Sequence, residues 1–364
     1  MKSPIILHIG PKPPRGFGIV TYIEGLLKSN ISQKYQILFL DTKGTKLCRV
    51  NKIFRAIFTL YNFIVLVILI IIKSPKIAHI HTSSGSSFWE KSFLSLTCKV
   101  FDVKVILHIH GADFNKFCFR RWNKFIVPKI LSLMDMNVLL SKNWYEHFTD
   151  VVPKEKLTVI PNATDTSMFI NSNKIPQYSN RINILFVGSI GRRKGLVDLA
   201  YASKNLINEG IHNFFIDIIG SEEKLGEFSI IKKIFKSLNL QEYTKFYGAI
   251  YNSQKIEFFN NADIFVLPSH NESFGISNLE AMASGLSIIS TKVGAIPEYL
   301  VHGENGFLIC PGNIDQLTKY LRILINDSKL REKMGDNNRK KVVEEFDWFI
   351  VSKKIDHLYQ SLLL

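Results

Sequence analysis

Residues 262–285 hold two glutamates at a spacing that could do chemistry. An apolar run ends at Leu267, a loop carries Glu272, and a helix of small and apolar residues starts near Gly275 and is closed by Gly285, a natural C′ residue. The N-terminus of such a helix presents unpaired N–H groups and the positive end of its dipole, which suits a phosphate. Glu280, within the helix, can accept hydrogen bonds from a ribose hydroxyl pair. Glu272, just ahead of it, can face a sugar hydroxyl or an anomeric carbon. The plainer reading is two solvated glutamates on a surface helix. For Glu280 the neighbours Ile276, Leu279, Ala281, Met282 and Ala283 count against it, because a helix so apolar packs into a core.

Other groups are less pointed. His79 and His81 alternate along one apolar run and His108 and His110 along another, so each pair shares a strand face. Histidines on strands are potential metal ligands, but no carboxylate or cysteine spacing supports a site, and no metal is expected. Cys48, Cys98, Cys118 and Cys310 are widely spaced without a CxxC, which reads as reduced, structural thiols in a cytosolic setting. With 46 Lys and Arg against 31 Asp and Glu, the net charge is +15. That balance suits a polyanion, a phosphate-bearing ligand or an anionic membrane surface, and does not choose among them.

These residues need elements to hold them. A chain of 364 residues is long enough for two domains, each with a full core. Short apolar runs at 4–9, 37–40, 77–81, 103–110, 136–140 and 157–160 alternate with turn or helical stretches, as buried parallel strands do. The first run is too short for a signal peptide and reads as a strand, followed by a Pro/Gly-rich loop and a helix from Ile19. A polar segment with Pro176 at 171–180 reads as an interdomain linker. A second series follows at 182–187, 214–219, 243–247, 264–267, 287–290 and 306–309. The pattern predicts two successive doubly wound α/β domains, with ligands outside the carboxyl ends of the strands and the cleft between domains as the default site. One segment stands apart: 56–72 carries no charge and is flanked by Arg55 and Lys73. A membrane span needs about 20 residues, and the strand at 77–81 follows almost at once, so a span is set behind two readings: a buried core helix or a helix that dips into a membrane surface.

The ordered motifs resemble the retaining family 4 glycosyltransferases of the GT-B fold. Glu272-x7-Glu280, with Ser273, Phe274 and Gly275 after the first glutamate, is similar to that family's glutamate pair. The chain from Val159 through Asn162 and Asp165 to Phe169 resembles its link between domains. Phe186-Val-Gly188-Ser-Ile-Gly-Arg192-Arg193-Lys194-Gly195 resembles its basic diphosphate loop, and Ile218-Ile-Gly220-Ser a turn of its second domain. Gly294-Ala-Ile-Pro297-Glu298 and His302-Gly-Glu-Asn305-Gly306 are similar to its later signatures, so the likeness covers nearly the whole chain.

The resemblance implies two Rossmann-like domains facing a central cleft. The acceptor-side domain would span 1–172, with a C-terminal helix at about 347–364 packing back onto it, and the nucleotide-sugar domain 173–346. It implies His110, Lys194 and Glu272 as catalytic, and Gly16, Gly18, Arg192, Arg193, Lys194, Ser273, Phe274, Gly275, Ile276 and Glu280 as donor-binding. His81 and Asp113 fall on the acceptor side. Two departures stand out: Ser189 occupies the place of a frequent arginine, leaving Arg192 or Arg193 to replace it, and Phe17 separates Gly16 from Gly18. No Asp-x-Asp occurs, so no metal or other cofactor is expected, and leaving-group charge falls to cations and backbone N–H groups.

The resulting expectation is a retaining, metal-independent transferase that moves a sugar from a nucleotide-diphosphate sugar to a lipid-linked glycan in surface polysaccharide synthesis. It would be cytoplasmic and peripheral at the inner face of an anionic plasma membrane. The alternatives are a GT-B transferase with a soluble acceptor and a nucleotide-sugar epimerase of the same shape. A nucleic-acid binder would explain the charge but not the glutamate pair, and no nucleic-acid partner is expected.

Overall fold

Twelve apolar runs become twelve parallel strands in two separate sheets. The computed structural model describes residues 3–13, 18–43, 52–169 and 181–364; Gly16 and the linker at 171–180 lie outside these residues. The chain divides into one compact unit of Met1–Ala163 with Trp348–Leu364, and a second of Thr164–Asp347.

In the first unit, β1 (Ile5–Gly10), β2 (Gln36–Asp41), β3 (Ile77–Thr82), β4 (Lys104–Ile109), β5 (Met136–Leu139) and β6 (Leu157–Val159) form one sheet in the order β2-β1-β3-β4-β5-β6. In the second, β7 (Ile182–Val187), β8 (Phe214–Ile219), β9 (Thr244–Gly248), β10 (Ile264–Leu267), β11 (Ser287–Thr291) and β12 (Phe307–Ile309) follow the order β12-β11-β10-β7-β8-β9. Helices connect the strands and cover the sheets, so a strand such as β8, FFIDII, is buried along its whole length. Strand order reverses direction between β1 and β3, and between β7 and β10. In open α/β sheets the crevice beyond the carboxyl ends at such a reversal is the ligand position.

The last helix, Trp348–Leu363, belongs to the first unit. A Cβ on Gly25 would lie 2.1 Å from the Trp348 indole nitrogen, so the missing side chain there lets the two helices close up. The Tyr35 hydroxyl donates to Asp356 at 2.8 Å, and the Tyr35 and Tyr359 rings meet edge to face.

The uncharged segment forms the helix Lys52–Lys73. It buries Asn62, Leu66 and Ile70 and exposes Ile57, Leu60, Tyr61, Ile64, Ile68 and Ile71. Of the two predicted alternatives, a buried core helix is therefore excluded: one edge packs on the unit and the rest faces outward. The stretch Ile53–Lys73 is long and apolar enough to cross a membrane by length and composition.

Candidate active site

In the second unit the carboxyl ends of β7 and β10 are locked together by backbone packing. After β7 the chain makes a single 3₁₀ turn, Arg192–Lys194, before the helix Leu196–Asn208. Gly195 between them has φ +75°, and a Cβ there would lie 2.0 Å from the Pro268 carbonyl oxygen. No other residue allows this approach. The His270 N–H then donates to the Arg193 carbonyl at 2.8 Å, joining the two loops again. The result brings Lys194 onto Glu272 as an ion pair, with each side chain 12% exposed.

Glu272 is held from the other side as well. Its Oε1 accepts from the Ser273 N–H at 3.1 Å. Gly294 has φ +56°, and a Cβ there would lie 2.1 Å from the Glu272 carbonyl oxygen, while the Ala295 N–H donates to the Ser273 carbonyl at 2.9 Å. The Gly294-Ala295 segment thus clamps the backbone that carries the first glutamate.

The helix Ile276–Ala283 starts at Gly275 and carries Glu280, which is 5% exposed and accepts from Lys255 Nζ at 2.5 Å. Phe274 is in the core, stacked on Tyr299, whose hydroxyl donates to the Phe274 carbonyl and accepts from Asn278. Burial pushes that hydroxyl above the usual tyrosine range. What Phe274 offers a ligand is therefore main chain, and its ring anchors the loop. Ile276 is half-buried at the first turn.

The two arginines differ. Arg193 pairs through Nε with Glu223 and donates to the Asn271 carbonyl at 2.9 Å, so it braces the loop before Glu272. Arg192 is exposed. Lys255, Glu223 and the Asp198 carboxylate, 2.7 Å from His270 Nε2, are members of this constellation that sequence reasoning missed. Nothing local marks them, since their partners lie 25, 30 and 72 residues away.

In the first unit, His110 and His81 stand at the carboxyl ends of β4 and β3 and share a hydrogen bond of 3.2 Å between His81 Nδ1 and His110 Nε2. They do not stand alone. His8 from β1, with His79 and His108 from the same strand faces, completes a cluster of five buried imidazoles, joined by the Tyr359 hydroxyl at 2.6 Å from His79 Nδ1. The Tyr22 ring lies against His81, His108 and His110. Burial holds His8 and His110 down to about 3; burial and then the neighbouring imidazoles hold His79, His81 and His108 well below the usual range. All five are neutral near pH 7.

Two sets of three, His8-His79-His81 and His81-His108-His110, have candidate ligand nitrogens within 4.8 Å of one another. The rings are inclined to one another by between 9° and 37°, and three pairs meet nitrogen to nitrogen at 3.1–3.2 Å. This is the geometry of a hydrogen-bond network. His8 and Tyr359 were not evident from sequence: histidines on three neighbouring strands were a usable signal for the first, and none exists for the second. Gly18 precedes the helix Ile19–Lys28 with φ +64° and is exposed, and Asp113 is exposed at the start of the helix Phe114–Cys118.

Residues 168–341 match the family described as glycosyl transferases group 1. Over 258 residues, 67% of this chain and 67% of the relative, the sequence is 29% identical to the capsular polysaccharide biosynthesis glycosyltransferase CapM of Staphylococcus aureus. The structure is similar to sucrose-phosphate synthase of Thermosynechococcus elongatus, with a TM-score of 0.80 at 18% identity over 99% of both chains. It is also similar to Anabaena HepE solved with UDP-glucose, with a TM-score of 0.80 at 15% identity over 98% of this chain and 99% of that one.

Proposed function

Because this chain is a glycosyltransferase, with a group 1 domain on a GT-B fold, we propose that it moves a sugar from a nucleotide-diphosphate sugar to a lipid-linked glycan, with retention and without a metal. The observation that carries the donor half is the Lys194–Glu272 pair beyond β7 and β10, where the strand order reverses. HepE was solved with UDP-glucose, which supports a nucleotide-sugar donor here.

In the proposed reaction the diphosphate takes Lys194 from Glu272 as a charge-assisted partner, and the amides at the start of Ile276–Ala283 face a phosphate. Glu272, freed, accepts from sugar hydroxyls, and Glu280, already buried and oriented by Lys255, accepts from the ribose. Charge developing on the departing diphosphate is met by a lysine and N–H dipoles that are in place beforehand. Glu272 holds the sugar rather than attacking it, so retention follows from front-face attack by the acceptor, whose proton passes to the departing diphosphate.

The acceptor half rests on the surface of the first unit. The helix Lys52–Lys73 exposes its apolar side, and Phe63 meets Phe93 of the neighbouring helix Ser86–Val100. Trp89 of that helix touches Phe117, beside a segment where exposed Phe119, Trp122, Phe125 and Ile126 alternate with exposed Arg120, Arg121, Lys124 and Lys129. Aromatic and aliphatic side chains among cations suit an anionic bilayer, to which each basic residue adds about 1 kcal/mol. CapM is named for capsular polysaccharide biosynthesis, which fits a lipid-linked glycan at the cytoplasmic face. Incubation with a panel of nucleotide sugars and a membrane extract, with and without EDTA, tests the proposal. Transfer that survives chelation and yields the donor's anomeric configuration is expected; transfer lost in EDTA, or inversion, contradicts it.

A further inference from the structure

The five buried histidines and Tyr359 form one unbranched file. His110 Nε2 meets His81 Nδ1 at 3.2 Å, His81 Nε2 meets His8 Nδ1 at 3.2 Å, and His8 Nε2 meets the Tyr359 hydroxyl at 3.2 Å. The hydroxyl meets His79 Nδ1 at 2.6 Å, and His79 Nε2 meets His108 Nδ1 at 3.1 Å. A neutral imidazole carries one N–H and one lone pair, and a tyrosine hydroxyl has a single proton to give. Each link needs one donor and one acceptor, which couples the tautomers along the file. Nearly every mixed file sets two N–H groups, or two lone pairs, against each other at some link. The exception has His8 Nε2–H and His79 Nδ1–H both donating to Tyr359, and it leaves the buried tyrosine proton with neither of its two partners as acceptor. Two files keep every link and the tyrosine proton paired: all five protons on Nε2, or all five on Nδ1.

The ends of the file decide between the two. His108 Nε2 is buried with no hydrogen-bond partner. A proton there is an orphaned donor in the core, which is rarer and costlier than an orphaned lone pair. At the other end His110 retains 7% exposure, against 0–1% for the other four rings. We propose that the file is locked with all five protons on Nδ1, that His110 therefore presents Nδ1–H as a hydrogen-bond donor at the carboxyl end of β4, and that Tyr359 is a positioning residue that joins the two halves of the lock. The donation to a sugar oxygen rests on the proposed function. The lock itself belongs to the folded unit and does not.

Long-range ¹H–¹⁵N correlation spectra of the full chain, labelled with ¹⁵N-histidine, read the tautomers directly and need no ligand. The chain has ten histidines. The five of the file are identified by through-bond correlation of each ring to its own backbone resonances. Five Nδ1–H rings are the expected result; five Nε2–H rings, or a mixture, overturn the proposal. Tyr359→Phe keeps the ring against Tyr35 and removes only the hydroxyl. In that variant His79 and His108 are expected to lose their common tautomer with the other three and show doubled or broadened signals. A spectrum identical to wild type would reduce Tyr359 to a packing role and overturn its part. If the variant does not fold, the wild-type spectrum still decides the lock.

Discussion

Lowering the pH from 7.5 to 5.5 should unfold the first unit far more steeply than an ordinary surface titration would. The five buried histidines are neutral in the folded unit, because burial lowers their proton affinity well below that of an exposed imidazole. In the unfolded chain each protonates near pH 6.5. The folded-state value is depressed for a base, so the unfolded state binds more protons in this window. Stability is therefore fully present above about pH 6.5 and is lost as the pH falls. Each histidine contributes a slope approaching about 1.4 kcal/mol per pH unit, and five of them remove about 7 kcal/mol by pH 5.5. That is comparable to the whole stability of a typical domain, about 5–15 kcal/mol. Asp135 does not confuse the window: against its burial, hydrogen bonds from Lys99 and Val105 hold it low, so it titrates only in stronger acid. All four tryptophans, Trp89, Trp122, Trp144 and Trp348, lie in the first unit, so tryptophan fluorescence in urea titrations reports that unit alone. A loss under about 2 kcal/mol between the two pH values would mean the histidines are not buried and neutral together, and the reasoning would fail.

Three further outcomes follow from the second unit and the apolar helix. Lys194→Ala should lower turnover by about 10²–10³, the usual effect of removing one preorganised donor, while the melting temperature stays close to wild type; full activity would remove Lys194 from the chemistry. Glu280→Ala should weaken donor binding by calorimetry, since a charged acceptor is worth about 1.5–3 kcal/mol per hydrogen bond, and Glu280→Gln should lie between the two. Ile64→Glu with Ile68→Glu should abolish sedimentation with anionic vesicles and leave the fold intact, because both positions are 49–50% exposed; undiminished binding would relocate the membrane contact.

Much of the fold was legible because parallel strands covered on both faces leave an uninterrupted apolar signature. The run at 182–187 and the strand Ile182–Val187 coincide, and the run at 103–110 overshoots β4 by one residue at each end: Val103, which is apolar, and His110, whose N–H still donates to the Thr82 carbonyl at 2.9 Å. The helix Lys52–Lys73 shows what such a signature omits: apolar residues all round look the same in a core and on an outer face, and only packing distinguishes them. The carboxylates at 272 and 280 stood out by spacing within one loop and helix. Their cations did not fare equally. Lys194 sits in a glycine-flanked turn that has a reason to be there, whereas Lys255 is one lysine on a mixed helix beside Ile256, Phe258 and Phe259. Tyr359 reaches His79 across 280 residues, and no local pattern encodes that contact.

The central claim is that a nucleotide-diphosphate sugar is held by Lys194, Glu272 and Glu280. Thermal shift across a panel of nucleoside diphosphates and their sugars tests it most directly, since a ligand at 100 times its dissociation constant adds about 2.7 kcal/mol. At least one nucleotide sugar should raise the melting temperature of the wild-type chain, and the shift should shrink in both Lys194→Ala and Glu280→Ala. A panel without any shift, or a shift that both variants keep in full, would contradict the account.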